Sequence, residues 1–236
     1  MAAISAILGA ALAGCSQTVD HTIAGGIKSA LPNAIGQAKS YSVIVDSDPL
    51  EAAKGNLRKV TIVGEDVNLS PQLLIDELDI EATDIKADVR TRKVKSVGEV
   101  DFVAQIGQDS IDHYLAARLP DSSQRQEKLK VTINDHTVTA TVLVKALGIS
   151  VPASVTGTFG VDSGDQKHMS FAADKGSLSI IPVPLFALKI ALDKINPVID
   201  VSNTTVPVTV NSIIVQDGKI IIHGQADLQD GLVQNT

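Results

Sequence analysis

From Ser40 onward apolar and polar side chains alternate with a period of two over long stretches, the signature of β-strands with one wet and one dry side. YSVIVD is the first such stretch. LRKVTIVG is the second, with Val60 and Ile62 on the side opposite Thr61 and Val63. Between them, DSDPLEAAKGN reads as a proline-bearing connection that ends in a turn at Gly55-Asn56. Leu78, Ile80 and Ala82 then alternate with Asp79, Glu81 and Thr83, and Val100, Phe102, Ala104 and Ile106 keep the same beat. Val131 with Ile133, a turn at Asn134-Asp135, and Val138, Ala140, Val142 and Val144 predict a hairpin. VPASVTGTFGVD, MSF and a closing pair of strands joined at Asp217-Gly218 complete the pattern.

Three segments change to a helical period. In residues 21–40, Ile23, Ile27, Leu31, Ala34, Ile35 and Ala38 share one face, although Gly25, Gly26 and Pro32 oppose the helix. DSIDHYLAARLP places Ile111, Tyr114, Leu115 and Leu119 at helical intervals, with Asp109 as the expected cap and Pro120 beyond the end. PVPLFALKIALDKINPVID sets Leu185, Leu188, Leu192 and Ile195 on a face that ends at Asn196-Pro197.

So many half-dry strands must close on themselves or be covered. The expected fold class is therefore α+β: a strongly curved antiparallel sheet rolled into an elongated barrel or tube, with an N-terminal helix and two further amphipathic helices. With no long linker or shift of composition, residues 21–236 read as one domain. Phe102, Ile106, Tyr114, Leu115, Phe159, Phe171, Leu185, Phe186, Leu188 and Leu192 are the candidates to line a hollow interior. A solid core is the alternative, because small barrels are ordinarily filled by their inward side chains.

Composition narrows the partners. Only six of the 236 residues are aromatic and none is Trp, so the core is built of Val, Ile, Leu and Ala. The net charge of −7 and the scarcity of stacking rings argue against nucleic acid. Within this acidic chain, Lys86, Arg90, Arg92, Lys93 and Lys95 form a local basic run. It reads either as a solvated strand end or as a contact for anionic head groups and membrane surface.

Cys15 is the sole cysteine, which excludes an internal disulfide or a paired-cysteine zinc site. It follows thirteen uncharged residues at 2–14, too few for the roughly 20 that a spanning helix needs. A signal-peptide core fits that length. Leu12, Ala13, Gly14 and Cys15 resemble the lipobox of bacterial lipoproteins, although no Lys or Arg stands within residues 1–5. The resemblance implies a signal peptide at 1–14, a lipidated Cys15 with a short tether at 15–20, and export to the periplasmic or outer face of the envelope.

The familiar constellations of catalysis do not stand out. His21, His113, His136, His168 and His223 are widely separated, and no G-x-S-x-G elbow or phosphate-cradling loop occurs. Asp46 with Asp48, and Asp162 with Asp165, read as turn residues rather than paired carboxylates or calcium ligands. The expectation is a protein without catalytic residues, metal or cofactor.

DPLEAAKGNLRKVTIVGEDVNL, followed by LLIDELDIEATDIKAD, is similar to the repeated strand pattern of the LmeA-like phospholipid-binding family of bacterial envelope proteins. Pro49, Leu50, Gly55, Leu57, Val60, Ile62, Gly64, Leu78 and Ile80 carry the resemblance. SIDHYLAARL, ISVPASVTGTFGV, KINPVID and IIVQDGKIIIHGQADL continue it in order over about residues 40–228. It implies a tubular fold like that of the bactericidal/permeability-increasing type, with an apolar cavity for phospholipid, and names no catalytic residues. Burying a tail of roughly 15 methylenes is worth about 12 kcal/mol, which an enclosed site captures better than a shallow patch.

Overall fold

The computed structural model describes residues 19–70, 73–88, 90, 93–118, 129–146, 149–162, 164–184, 196, 199–202 and 207–227. Its first element is helix α1 (Val19–Ala34). Strand β1 (Ser40–Asp46), helix α2 (Pro49–Ala53), β2 (Asn56–Ser70), β3 (Leu73–Asp88), β4 (Lys93–Ser96) and β5 (Val100–Gly107) follow, and then helix α3 (Gln108–Arg118). The remainder is β6 (Leu129–Asn134), β7 (Thr137–Ala146), β8 (Ile149–Asp162), β9 (Asp165–Leu178), β10 (Ile181–Val183), β11 (Ile199–Asp200), β12 (Val208–Gln216) and β13 (Lys219–Ala226).

These strands form two antiparallel sheets rather than one closed barrel. The first runs β1-β2-β3-β5-β13-β12 with β4 on β3, and the second runs β10-β9-β8-β7-β6 with β11 on β9. Neither closes on itself among the described residues. Alternation specifies which side of a strand is dry but not which strand it pairs with, so one rolled sheet and two separate sheets read alike in sequence.

Each sheet keeps the predicted two-sidedness. Across the first, Val60 pairs with Ala82 and Ala82 with Val100, while Leu78 pairs with Ala104 and Ala104 with Ile222, all apolar. Across the second, Val138 pairs with Gly157, and Phe159 with Phe171. The opposite side of the second sheet is lined by hydroxyls that bond one another, Thr139 to Thr156 at 2.8 Å and Ser154 to Ser177 at 2.9 Å.

The long pair β2–β3 carries an irregularity invisible to a simple alternation count. Asp66 in β2 and Asp84 in β3 adopt left-handed backbone at φ 50° and 49°. Around each, the spacing of buried positions lengthens from two to three, Gly64 to Val67 and Ala82 to Ile85. The Val67 side chain consequently lies over Gly64, where a β-carbon would meet its Cγ2 at 2.6 Å. Such kinks bend and twist a ladder while keeping its dry side continuous.

Helix α1 buries Ile23, Ile27 and Leu31 completely and lies along β1, where Tyr41 is buried and Ile44, on the other side, is exposed. Each of those three side chains contributes about 1.5–3 kcal/mol by leaving water. Helix α2 is an addition to the predicted elements. Asp48 caps it by accepting from the Leu50 and Glu51 N–H groups, and Pro49 occupies its first turn. Five residues are too few to display a helical period.

Helix α3 forms where predicted but starts at Gln108, so Asp109 stands in its first turn instead of capping it. The β6–β7 turn falls one residue later than expected, at Asp135-His136, with His136 at φ 65°. The Asp217-Gly218 turn lies where the sequence put it, with Gly218 at φ 76°. The signal peptide, Cys15 and the helix expected around Leu185–Ile195 lie outside the described residues.

Strand β12 joins the sheets, lying against β6, β7, β8 and β9. The β6–β7 hairpin bonds the β12–β13 turn through Gly218 N–H to the Ile133 carbonyl at 3.0 Å and His136 N–H to the Val215 carbonyl at 3.1 Å. Helix α3 shields the edge of β6, where the Val131 N–H donates to Asp112 and the Ile133 N–H to Gln108.

Candidate functional site

The register of the first sheet lines up side chains in rows that cross the strands. One row runs Val43, Ile62, Ile80, Phe102, each the direct partner of the next. All four are partly exposed. On one flank Val60, Ala82 and Val100 are buried, and on the other Tyr41, Gly64, Leu78, Ala104 and Ile222 are buried. The result is an apolar strip, open between packed neighbours. With three inter-strand steps of about 4.8 Å it spans about 14 Å.

Phe102 closes one end of the strip. Its next partner is Gly224, where a β-carbon would collide with the Phe102 ring and with the Thr209 carbonyl, so the bare glycine lets the ring lie down. The other end reaches β1, the strand along which α1 lies. Tyr41 donates its hydroxyl to the Gly36 carbonyl at 2.8 Å, which ties β1 to the chain leaving α1. Burial holds its phenol above the ordinary pKa of 10.0.

On the second sheet Phe159 and Phe171 meet edge to face, their centroids 5.4 Å apart at 66°. The Asn196 side chain clamps Phe171, accepting from its N–H and donating to its carbonyl, both at 3.0 Å. An amide that mimics a neighbouring strand leaves no periodic mark, and the sequence offers no signal for it beyond the Asn-Pro that ends a helical pattern. Ile106, Phe171 and Ile222 belong to one continuous hydrophobic cluster, with Phe102 and Phe159 packed against it.

Of the candidate lining residues, Phe102 and Ile106 therefore lie on the dry side of the first sheet, and Phe159 and Phe171 on that of the second. Tyr114 is buried in α3. The backbone of Leu115 is in α3, but its side chain lies outside the described residues, as do Leu185, Phe186, Leu188 and Leu192 entirely. Val43, Ile62 and Ile80, three of the four side chains of the strip, were not among the lining candidates, because alternation places them on a dry side without telling an open row from a buried one.

The basic run maps to the β3–β4 hairpin. Lys86, Arg90 and Lys95 are exposed, and Lys95 pairs with Asp88 at 3.2 Å. Arg92 and the Lys93 side chain lie outside the described residues. Beside Lys86 a shallow cleft of about 280 Å³ is lined by Ser47, Asp48, Glu51, Asn56 and Arg58 among others. Three of its charged side chains are already engaged. Asp48 caps α2, Glu51 accepts from Lys54 at 2.7 Å and Asn56 at 2.8 Å, and Arg58 pairs with Asp46. The Lys54 and Asn56 donors hold the Glu51 carboxyl below its usual range. Among the described residues no three His, Cys, Asp or Glu side chains gather as a metal site, and no helix is long and apolar enough to cross a membrane.

Two antiparallel sheets joined by one hydrophobic cluster, with a partly exposed apolar row on the first, are the features on which a ligand site can be built. The chain belongs to the LmeA-like phospholipid-binding family, whose model matches residues 10–225, nearly its whole length. No curated protein and no solved structure matches it. The resemblance carried by Pro49 to Ile80 is thereby placed on the whole chain.

Proposed function

We propose that the protein holds the acyl tails of a phospholipid against the dry side of the first sheet, along Val43, Ile62, Ile80 and Phe102. The observation that carries this reading is the partial exposure of that one row between buried rows. A partly exposed apolar row with buried side chains on both flanks offers contact area to an alkyl chain lying across the strands. In this reading the second sheet helps to enclose the tails, and the head group stays at a mouth near Lys86, Arg90, Arg92, Lys93 and Lys95. Acylated Cys15 tethers the domain to a membrane of the bacterial envelope, and the mechanism is non-covalent: the lipid enters, is held and leaves unchanged.

Lipid extraction and native mass spectrometry of the protein purified from its own host test the reading. Phospholipid should co-purify with the wild type, and its amount should fall when Ile80→Asp puts a charge in the strip while thermal unfolding stays cooperative. A lipid-free protein with a packed interior would instead make it a structural lipoprotein with a solid core.

A further inference from the structure

The far end of the second sheet is unlike the rest of the surface. Ile180 is 94% exposed and Ile181 64%, with Leu178 and Leu143 at 36% and 41%. These residues cluster at the β9–β10 turn and the neighbouring end of β7. We infer that this end dips into the surface of a lipid bilayer, with Ile180 and Ile181 leading.

Charge points the same way. In a chain of net charge −7, residues 146–161 and 176–188 are uncharged in sequence, and the register brings 149–156 and 176–183 of them to this end, Ala153 opposite Leu178. The other end of the sheet carries the Asp135-His136 turn and Asp165. An anionic lipid surface therefore repels one end of the sheet and not the other. The backbone is also prepared for a poorly hydrated setting. The Ser179 N–H donates to the Pro152 carbonyl at 2.6 Å, and Pro182 brings no N–H to edge strand β10.

The exposed tip is continuous with the interior. Ile181 pairs with Leu178, Leu178 with Ala153, and the same dry side continues through Val155 to Phe159 and Phe171 in the core cluster. A tail leaving a bilayer at the tip meets apolar side chains along the whole way inward. The inference deepens the lipid-holding reading and rests on it, since it assigns the end through which the protein meets its source of lipid.

The test uses the full chain with Cys15→Ser, which removes the acylation site and the sole thiol together. A thiol is then introduced as Ile180→Cys, or as His136→Cys at the opposite end, and labelled with an environment-sensitive dye. With vesicles of phosphatidylcholine and phosphatidylglycerol, emission from position 180 should shift to the blue and its quenching by iodide should fall several-fold, while position 136 stays unchanged. Equal quenching at both positions on vesicle-bound protein, or no vesicle binding at all, overturns the inference. Protection of position 180 without vesicles, growing with protein concentration, overturns it in favour of a second copy of the chain. Lipid extraction from the wild type is scored separately. A lipid-free protein whose position 180 still enters vesicles removes the tail-holding reading and leaves membrane docking standing.

Discussion

The ring of Phe102 lies across the backbone of Gly224, in the space a β-carbon would fill. Gly224→Ala must push the ring into the strip or part β13 from β12, whose Thr209 carbonyl closes the other side. The expected cost is about 1–3 kcal/mol, seen as a lower urea midpoint. Adding Phe102→Leu should recover part of the loss, because the smaller side chain frees the space.

Leu31 in α1 is fully buried against the first sheet. Leu31→Ala should lower stability by about 2–5 kcal/mol in denaturant unfolding, with the cavity term setting where in that range it falls. Lys28→Ala, on the exposed side of the same helix, should change it by no more than about 0.5 kcal/mol.

The left-handed kink at Asp84 limits what can stand there. Asp84→Asn should be tolerated, since Asn enters this region readily, whereas Asp84→Ile should cost about 1–3 kcal/mol through backbone strain. Thermal unfolding of the two variants side by side separates conformation from charge, as both remove the carboxylate.

Asn196 satisfies both backbone groups of Phe171. Asn196→Ala should cost about 1–3 kcal/mol and raise the hydrogen exchange of the Phe171 amide. Asn196→Asp, which keeps the acceptor and loses the donor, should protect that amide better than Ala does.

Tyr41 supplies an alkaline dependence. Its folded pKa is raised by burial, so the folded state keeps the proton more tightly than the unfolded chain. Its contribution is fully present below pH 10.0 and is lost as the pH rises from there through the folded value. Unfolding free energy against pH should decline less steeply above 10 in Tyr41→Phe, although that variant starts lower for want of the bond to Gly36.

Most of the described strands, and the helices at Val19–Ala34 and Gln108–Arg118, were legible because their determinants are local. Alternation at Leu78, Ile80 and Ala82, the Asp217-Gly218 turn, and the repeats of Ile23, Ile27 and Leu31 each depend on residues within a few positions of one another. Of the four side chains of the strip, Phe102 alone was among the lining candidates, because an aromatic ring is conspicuous in a chain with six. What the chain could not declare by pattern is which dry strand lies beside which. The partnership of Ile80 with both Ile62 and Phe102, the bond between Ile133 and Gly218, and the grip of Asn196 on Phe171 join residues far apart in sequence. Strand pairing is chosen by the packing of whole faces, so two open sheets, and an open row between buried ones, were decided by the tertiary structure alone.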